Sequence, residues 1–263
     1  MIMDETELVF GEKSYELRIV SYFDILGWRS EVLDAGDDAR RIARLAAIPR
    51  LFSSSVWLLG ERVEGAFITA FSDNVVTSVP YRKERVQWSL EGLATIQFAL
   101  ALAGFWSRGA ITVGRLFHDA DTVFGPALNR VYELESRSAI YPRTLIDPEV
   151  SVLMNVQSDF IACDAEWRFT DPFTMPFIRR KQNEPINRDM VARYNELSGT
   201  AIPMTPVAID PMTLLLAIFL RVRSELSGAT SLGVWQKYAW LYDRIAPRVG
   251  CADRSTEFAP PRS

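Results

Sequence analysis

Histidine and cysteine are almost missing from this sequence, which has one His and two Cys in 263 residues. Cys163 and Cys251 lie far apart and outside any CxxC pattern, which excludes a disulfide framework or a thiolate zinc site and fits a reducing compartment. His118 alone builds neither a Ser-His-Asp triad at known spacings nor an HExxH zinc site, and it reads as a loop residue. No Walker A or GxGxxG fingerprint occurs. Excess positive charge is also lacking: 29 basic against 33 acidic residues give a net charge of −4, so no broad field exists to hold a nucleic-acid backbone. The most lipid-like run, Pro211 to Leu220, follows Asp210 and is half the roughly 20 apolar residues a membrane span needs. The first residues carry no basic segment followed by an apolar stretch and a cleavage site, so a cytoplasmic protein without a membrane anchor is expected.

What is present is an ordinary globular composition, 48% hydrophobic, sufficient for one substantial core. YELRIVSYFDILGW, from Tyr15, reads as a buried strand ending near Asp24 and turning at Gly27. Apolar residues at helical spacing (Ile42, Leu45, Ala46, Ile48) follow, with Pro49 expected to break the segment into two helices. VEGAFITAFSDNVVTSVP then reads as a hairpin with Ser72, Asp73 and Asn74 at its tip. A helix from Glu84 to Phe105, a strand from Arg108 to Gly114, a helix from Pro126 to Ala139 and a strand at RTLID complete the alternation. WRFTDPFTMPFI reads as a late hairpin confined to an edge by its prolines. The order implies an α+β fold, a sheet covered by helices, over residues 1–181. The polar run RRKQNEPINRD marks a boundary, and residues 182–263 form a C-terminal helical extension built on MTLLLAIFLRVRSEL and VWQKYAWLYDRI. Trp167, Phe219, Trp235 and Trp240 read as core or interface residues.

Asp24 and Asp73 stand at the ends of elements that this topology allows to lie side by side. Paired carboxylates with few further ligands suit Mg²⁺ or Mn²⁺, which keep waters and complete their shell with substrate phosphates. Taken alone, two such aspartates read more readily as a solvated strand end and a turn residue than as metal ligands.

The motifs around them change that balance. FDILGW (Phe23 to Trp28) and FSDN (Phe71 to Asn74) resemble the two metal motifs of class III nucleotide cyclases, with Ser72 where that family usually has glycine. RGAITVG (Arg108 to Gly114) and VFGPALN (Val123 to Asn129) resemble two further segments, in the same order, across roughly residues 15 to 180. FGPALNRVYELES, the YPR after it, the polar break and the terminal KYAWL (Lys237 to Leu241) more closely resemble the pyrimidine cyclases of the bacterial anti-phage system called Pycsar.

The resemblance implies a ferredoxin-type cyclase sheet, conversion of a nucleoside triphosphate to a cyclic nucleotide, and a separate effector that responds to it. It implies two Mn²⁺ or Mg²⁺ ions per site, held by Asp24 and Asp73 with the backbone carbonyl of Ile25. It also implies a head-to-tail homodimer with composite sites, metal residues from one subunit and the Asn129 side from the other. Asn129 matches the asparagine that orients the ribose, whereas Glu133 stands where purine cyclases place a transition-state arginine. Arg130 is taken as the replacing cation, with Arg137, Arg179, Arg180 and Lys181 as further candidates. Substrate contact is expected from Phe23, Arg50, Thr69, Thr122 and Arg179. Thr69 and Thr122 occupy the base-selecting positions and match neither purine code, which points to a pyrimidine. A threonine hydroxyl can satisfy uracil or cytosine, while Arg50, a pure donor, favours uracil O4. UTP is therefore expected, with CTP, or a non-catalytic nucleotide sensor, as alternatives. A phosphodiester hydrolase would want more metal ligands than the sequence offers.

Overall fold

β-Branched and aromatic residues alternate through β1 (Glu16–Leu26), and its two sides go to different cores. Ile19, Phe23 and Ile25 join one apolar cluster, while Val20 joins another on the opposite face. This is a computed structural model, and it describes residues 13–52, 57–58, 61–153, 158–183 and 210–261.

Two helices follow, α1 (Trp28–Ala35) and α2 (Ala39–Leu51). The expected break at Pro49 is not there. The helices part at Gly36, whose φ is +46°, and α2 runs through Pro49 to end two residues later, where the loss of one backbone bond is confined to the final turn. After a short pair, β2 (Trp57–Leu58) and β3 (Glu61–Arg62), the hairpin of β4 (Phe67–Phe71) and β5 (Asn74–Pro80) forms around Ser72 and Asp73. Helix α3 (Lys83–Ala103) buries Val86, Leu90, Leu93, Gln97 and Leu100 along one stripe. It stops at Gly104, where a left-handed residue lets the Phe105 N–H reach the Leu100 carbonyl at 2.8 Å.

β6 (Trp106–His118) is longer than its motif suggested and turns back through β7 (Val123–Phe124). Helix α4 (Pro126–Ser138) packs Ala127, Val131 and Leu134 onto the Val20, Val76 and Ala110 face. β8 (Thr144–Ile146), α5 (Pro148–Leu153), β9 (Ile161–Cys163) and β10 (Arg168–Thr170) follow. The sheet order is β4-β5-β1-β6-β8-β10-β9, antiparallel except for the parallel β6–β8 pair. The α+β sheet covered by helices is thus the architecture of the chain. The late hairpin is shorter than expected: Met175, Pro176, Phe177 and Ile178 open a helix, α6 (Met175–Asn183).

The position expected to separate the domains, 181/182, falls inside α6. The polar run beyond Asn183 lies outside the described residues. Helices α7 (Pro211–Ser227) and α8 (Leu232–Ile245) bring Leu215, Phe219, Leu241 and Tyr242 into the same cluster as Phe23, Leu90 and Phe177. Their apolar residues complete the core of the sheet. No helix among the described residues is long and apolar enough to cross a membrane.

One carboxylate ties the tail to the sheet. Asp171, just after β10 and 2% exposed, accepts two bonds from Arg248, at 2.9 and 2.7 Å, and a third from Arg244. Burial alone would raise its pKa; the bonds and charges of Arg248 and Arg244 together outweigh burial and hold it below the ordinary value. Trp240 of α8 stacks on Tyr141, with ring centroids 5.4 Å apart, so the KYAWL and YPR segments meet. Asp171→Asn should cost about 3–5 kcal/mol in urea unfolding, because two arginines lose a buried counter-charge. Because the folded pKa is depressed, this contribution is complete above the unfolded value near ~4 and is lost as pH falls below it. A urea midpoint that does not change on substitution would show the clamp to be idle.

Candidate active site

The site is set by register. β1 lies between β5 and β6, with Asp24 opposite Asn74 on one side and Arg108 on the other. Directly opposed residues share a face, so Asp24, Asn74 and Arg108 form one polar row at the end of three strands. The Ile25 N–H donates to the Asp73 carbonyl at 2.9 Å, which fixes the hairpin tip against the end of β1. Phe23 points the other way. Its ring is fully buried and packs on Phe52 at 4.9 Å, so the substrate contact expected of it is corrected to a role in the core.

Asp73 is oriented by its neighbours: Asn74 Nδ2 donates to Asp73 Oδ1 at 3.0 Å, and the Tyr22 hydroxyl donates to Asn74 Oδ1. Burial first, then the Glu135 and Asp24 charges, push the Tyr22 phenol up to about 12, so it remains a donor. Ser72 has φ +56°, the left-handed conformation that glycine accepts without a steric penalty.

Asp24 Oδ2 accepts from Arg108 Nε at 2.7 Å, and the same nitrogen lies 2.7 Å from Glu135 Oε1 on α4. Glu135 is 3% exposed; burial raises its pKa most, Arg108 opposes that and Asp24 adds to it, for a value of about 6. β6 can lie this close to β1 because residue 109 has no side chain. A Cβ there would sit 2.4 Å from the Tyr22 carbonyl and 2.8 Å from the Phe23 ring. Half-buried Lys237, the first residue of KYAWL, belongs to the same charge group: burial lowers its pKa, Arg108 lowers it further and Asp24 raises it.

Among the described residues no three His, Cys, Asp or Glu side chains gather to hold a metal. Two carboxylates, one of them oriented by an amide, suit a hard dication that takes its other oxygens from water and phosphate, and Glu135 gives Arg108 an alternative acceptor if Asp24 is needed.

The other expected residues are distributed as follows. Asn129 is exposed on the first turn of α4, its N–H bonded to the Gly125 carbonyl at 3.2 Å. Arg130 is not the free cation it was taken for. Asp147, wholly buried, accepts from it at 2.8 and 3.2 Å and from Thr112 at 2.8 Å, so the guanidinium locks α4 to the end of β8. Glu133 pairs with Arg137 at 2.7 Å on the solvent side of α4. Arg179 is exposed on α6 and does not belong to a hairpin. Arg50 is in the last turn of α2, and its side chain lies outside the described residues. Thr122 is exposed in the β6–β7 turn, its N–H held by Asp119 Oδ1 at 2.9 Å. Thr69 Oγ1 is 3.0 Å from Nε2 of His118, which is buried at the end of β6 instead of lying in a loop.

Sequence reasoning missed Arg108, Glu135, Lys237 and His118 as members of polar clusters. Arg108 and Lys237 sat in quoted motifs without a role; Glu135, a charged residue on the apolar stripe of α4, was the one local signal available.

Ser72→Val should cost about 1–2 kcal/mol in thermal or urea unfolding, since a β-branched residue resists positive φ, whereas Ser72→Gly should cost nothing. Equal stability of the two variants would contradict the left-handed turn.

No protein-family model and no curated protein matches the chain. Among solved structures, it is similar to the monomeric guanylyl cyclase domain of the RhoGC fusion protein from the aquatic fungus Blastocladiella emersonii, at 12% identity over 60% of this chain and 95% of that one, with a TM-score of 0.44. It is also similar to an adenylate/guanylate cyclase/hydrolase from Silicibacter pomeroyi, at 15% identity over 60% of this chain and 98% of that one, with a TM-score of 0.42. A third is a class III adenylyl cyclase-like ATP-binding protein from Pseudomonas aeruginosa, at 14% identity over 82% of this chain and 59% of that one, with a TM-score of 0.40.

Proposed function

We propose that the chain is a pyrimidine nucleotide cyclase that converts UTP to 3′,5′-cyclic UMP and pyrophosphate. The observation that carries this reading is the register that sets Asp24 opposite Asn74 and hydrogen-bonds Ile25 to Asp73, so that two candidate metal carboxylates share one end of the sheet. The four motifs named in the sequence supply the chemistry that this end would serve.

A pair of Mg²⁺ or Mn²⁺ ions bound there would supply Lewis acidity toward the ribose 3′-hydroxyl and positive charge toward the triphosphate. Asp24 and Asp73 would hold those ions, with the Ile25 carbonyl as the further oxygen the resemblance assigns. The Tyr22–Asn74 relay holds one oxygen of Asp73 and so limits how its carboxylate can turn. Asn129, exposed at the start of α4, orients the ribose through an amide that both donates and accepts. With Arg130 committed to Asp147, Arg137 to Glu133 and Arg108 to Asp24 and Glu135, half-buried Lys237 is the cation of this charge group that stands nearest the role an arginine at position 133 fills in purine cyclases. The composite homodimer, the separate effector that reads the product and the anti-phage setting follow from the resemblance in FGPALNRVYELES, YPR and KYAWL.

The protein given Mn²⁺ and, separately, ATP, GTP, CTP and UTP should yield cyclic UMP by mass and little or no cyclic purine nucleotide. Asp73→Asn should lower that rate more than about a hundredfold, beyond the 10–100-fold typical of losing an outer partner of a metal site. No cyclic product from any triphosphate overturns the enzyme reading, and an undiminished rate in Asp73→Asn overturns the metal assignment.

A further inference from the structure

One buried oxygen beside Asp24 has no hydrogen-bond partner. Arg108 Nε lies 2.7 Å from Asp24 Oδ2 and also 2.7 Å from Glu135 Oε1, yet this nitrogen carries a single hydrogen. The hydrogen is aimed at Asp24, which accepts it. Glu135 Oε1 is shut off from solvent and accepts no hydrogen bond. Native structures keep few such atoms, and a charged oxygen is among the costliest to leave unsatisfied. One N–H therefore stands between two acceptors and serves only one of them.

The surroundings decide which part can move. Asp24 is held in the register of β1 and β6, opposite Arg108 itself, and Glu135 is on α4, which Arg130 locks to Asp147. The guanidinium nitrogen already lies within hydrogen-bond reach of both oxygens, so a turn of the guanidinium plane, with little travel, moves the N–H from Asp24 to Glu135. A dication on Asp24 favours that turn, because it claims the Oδ2 lone pair and repels the guanidinium. The turn then satisfies the orphaned Glu135 oxygen. With no acceptor at position 135, Arg108 would either keep Asp24 from the metal or lose its bond beside a second positive charge.

We infer that Arg108 is a built-in counter-ion that occupies Asp24 in the metal-free protein and turns to Glu135 as metal enters, which makes Glu135 a positioning residue for the metal site. The inference rests on the cyclase reading in taking Asp24 as a metal ligand. Arg108 remains a brace between the two carboxylates in both states, and only its N–H changes acceptor. The exchange also couples metal to nucleotide. Arg108 and Lys237 lie in the field of Asp24 and offset the charges of Asp24 and Glu135, so Mn²⁺ alone meets little net attraction and a resident competitor. A triphosphate supplies the negative charge that draws the ions in.

The test measures Mn²⁺ affinity by electron paramagnetic resonance, on the protein alone and with 3′-deoxy-UTP, which cannot cyclise. Glu135→Gln keeps an oxygen that can accept from Arg108, whereas Glu135→Leu keeps none and suits the apolar stripe that Val131 and Leu134 form on α4. Mn²⁺ should bind Glu135→Leu about tenfold more weakly than wild type, or weaker still, and Glu135→Gln only about threefold more weakly. On the protein alone, the double variant Arg108→Met with Glu135→Leu should recover the loss, because Asp24 then has no competitor. Equal losses in the Gln and Leu variants would show a charge acting through space and overturn the inference. So would an unchanged affinity in Glu135→Leu, or no recovery in the double variant, and each of these leaves the metal assignment standing. Mn²⁺ that binds wild type no better than Asp24→Asn under either condition overturns the metal assignment beneath it.

Discussion

The pairing of β1 with β5 on one edge and β6 on the other fixes everything that the site requires. Side chains alternate along a strand, so a slip of one residue would carry Asp24 into the larger apolar cluster and turn Phe23 toward the face that α4 covers. The apolar residues prevent that slip. Ile19, Phe23 and Ile25 all belong to the larger cluster, and moving them would take three large side chains out of it at once. The polar row of Asp24, Asn74 and Arg108 is thus held in place mainly by the burial of its neighbours on the other face.

Around that row, arginines serve as fixed braces. Arg108 lies between Asp24 and Glu135, Arg130 locks α4 to Asp147, and Arg244 and Arg248 hold the tail to Asp171. Each brings together elements distant in sequence, and each pairs with a carboxylate that is wholly or largely buried. Removing one partner of such a pair is costly because the other charge stays behind. The terminal helices are part of this scheme: Asp171 anchors α8, and α8 carries Lys237 to the neighbourhood of Asp24.

Much of this was legible in the sequence where the signal was local. The alternation in ELRIVSYFDIL, the turn formers at Ser72 to Asn74 and the helical spacing in PALNRVYELES each marked an element that the structure contains. Local rules failed where tertiary packing decided. Pro49 was expected to break a helix but falls in its last turn, and Met175 to Ile178, read as strand, begin a helix whose Phe177 and Ile178 enter the core. Arg130 looked free because Asp147 is brought beneath it only by the β8 strand. His118 was read as a loop residue because its partners, Ser78 and Thr69, come from two other strands, and no window of sequence contains all three.

The central claim is that Asp24 and Asp73 together hold divalent metal for a pyrimidine triphosphate. The most direct measurement is a Mn²⁺ titration followed by electron paramagnetic resonance, with 3′-deoxy-UTP present so that no turnover occurs. The account predicts two ions per site, coupled to one another, in the wild-type protein, and loss of that coupled signal in Asp24→Asn with the fold intact. Mn²⁺ uptake that is the same with and without nucleotide, or that is unchanged in Asp24→Asn, would contradict it.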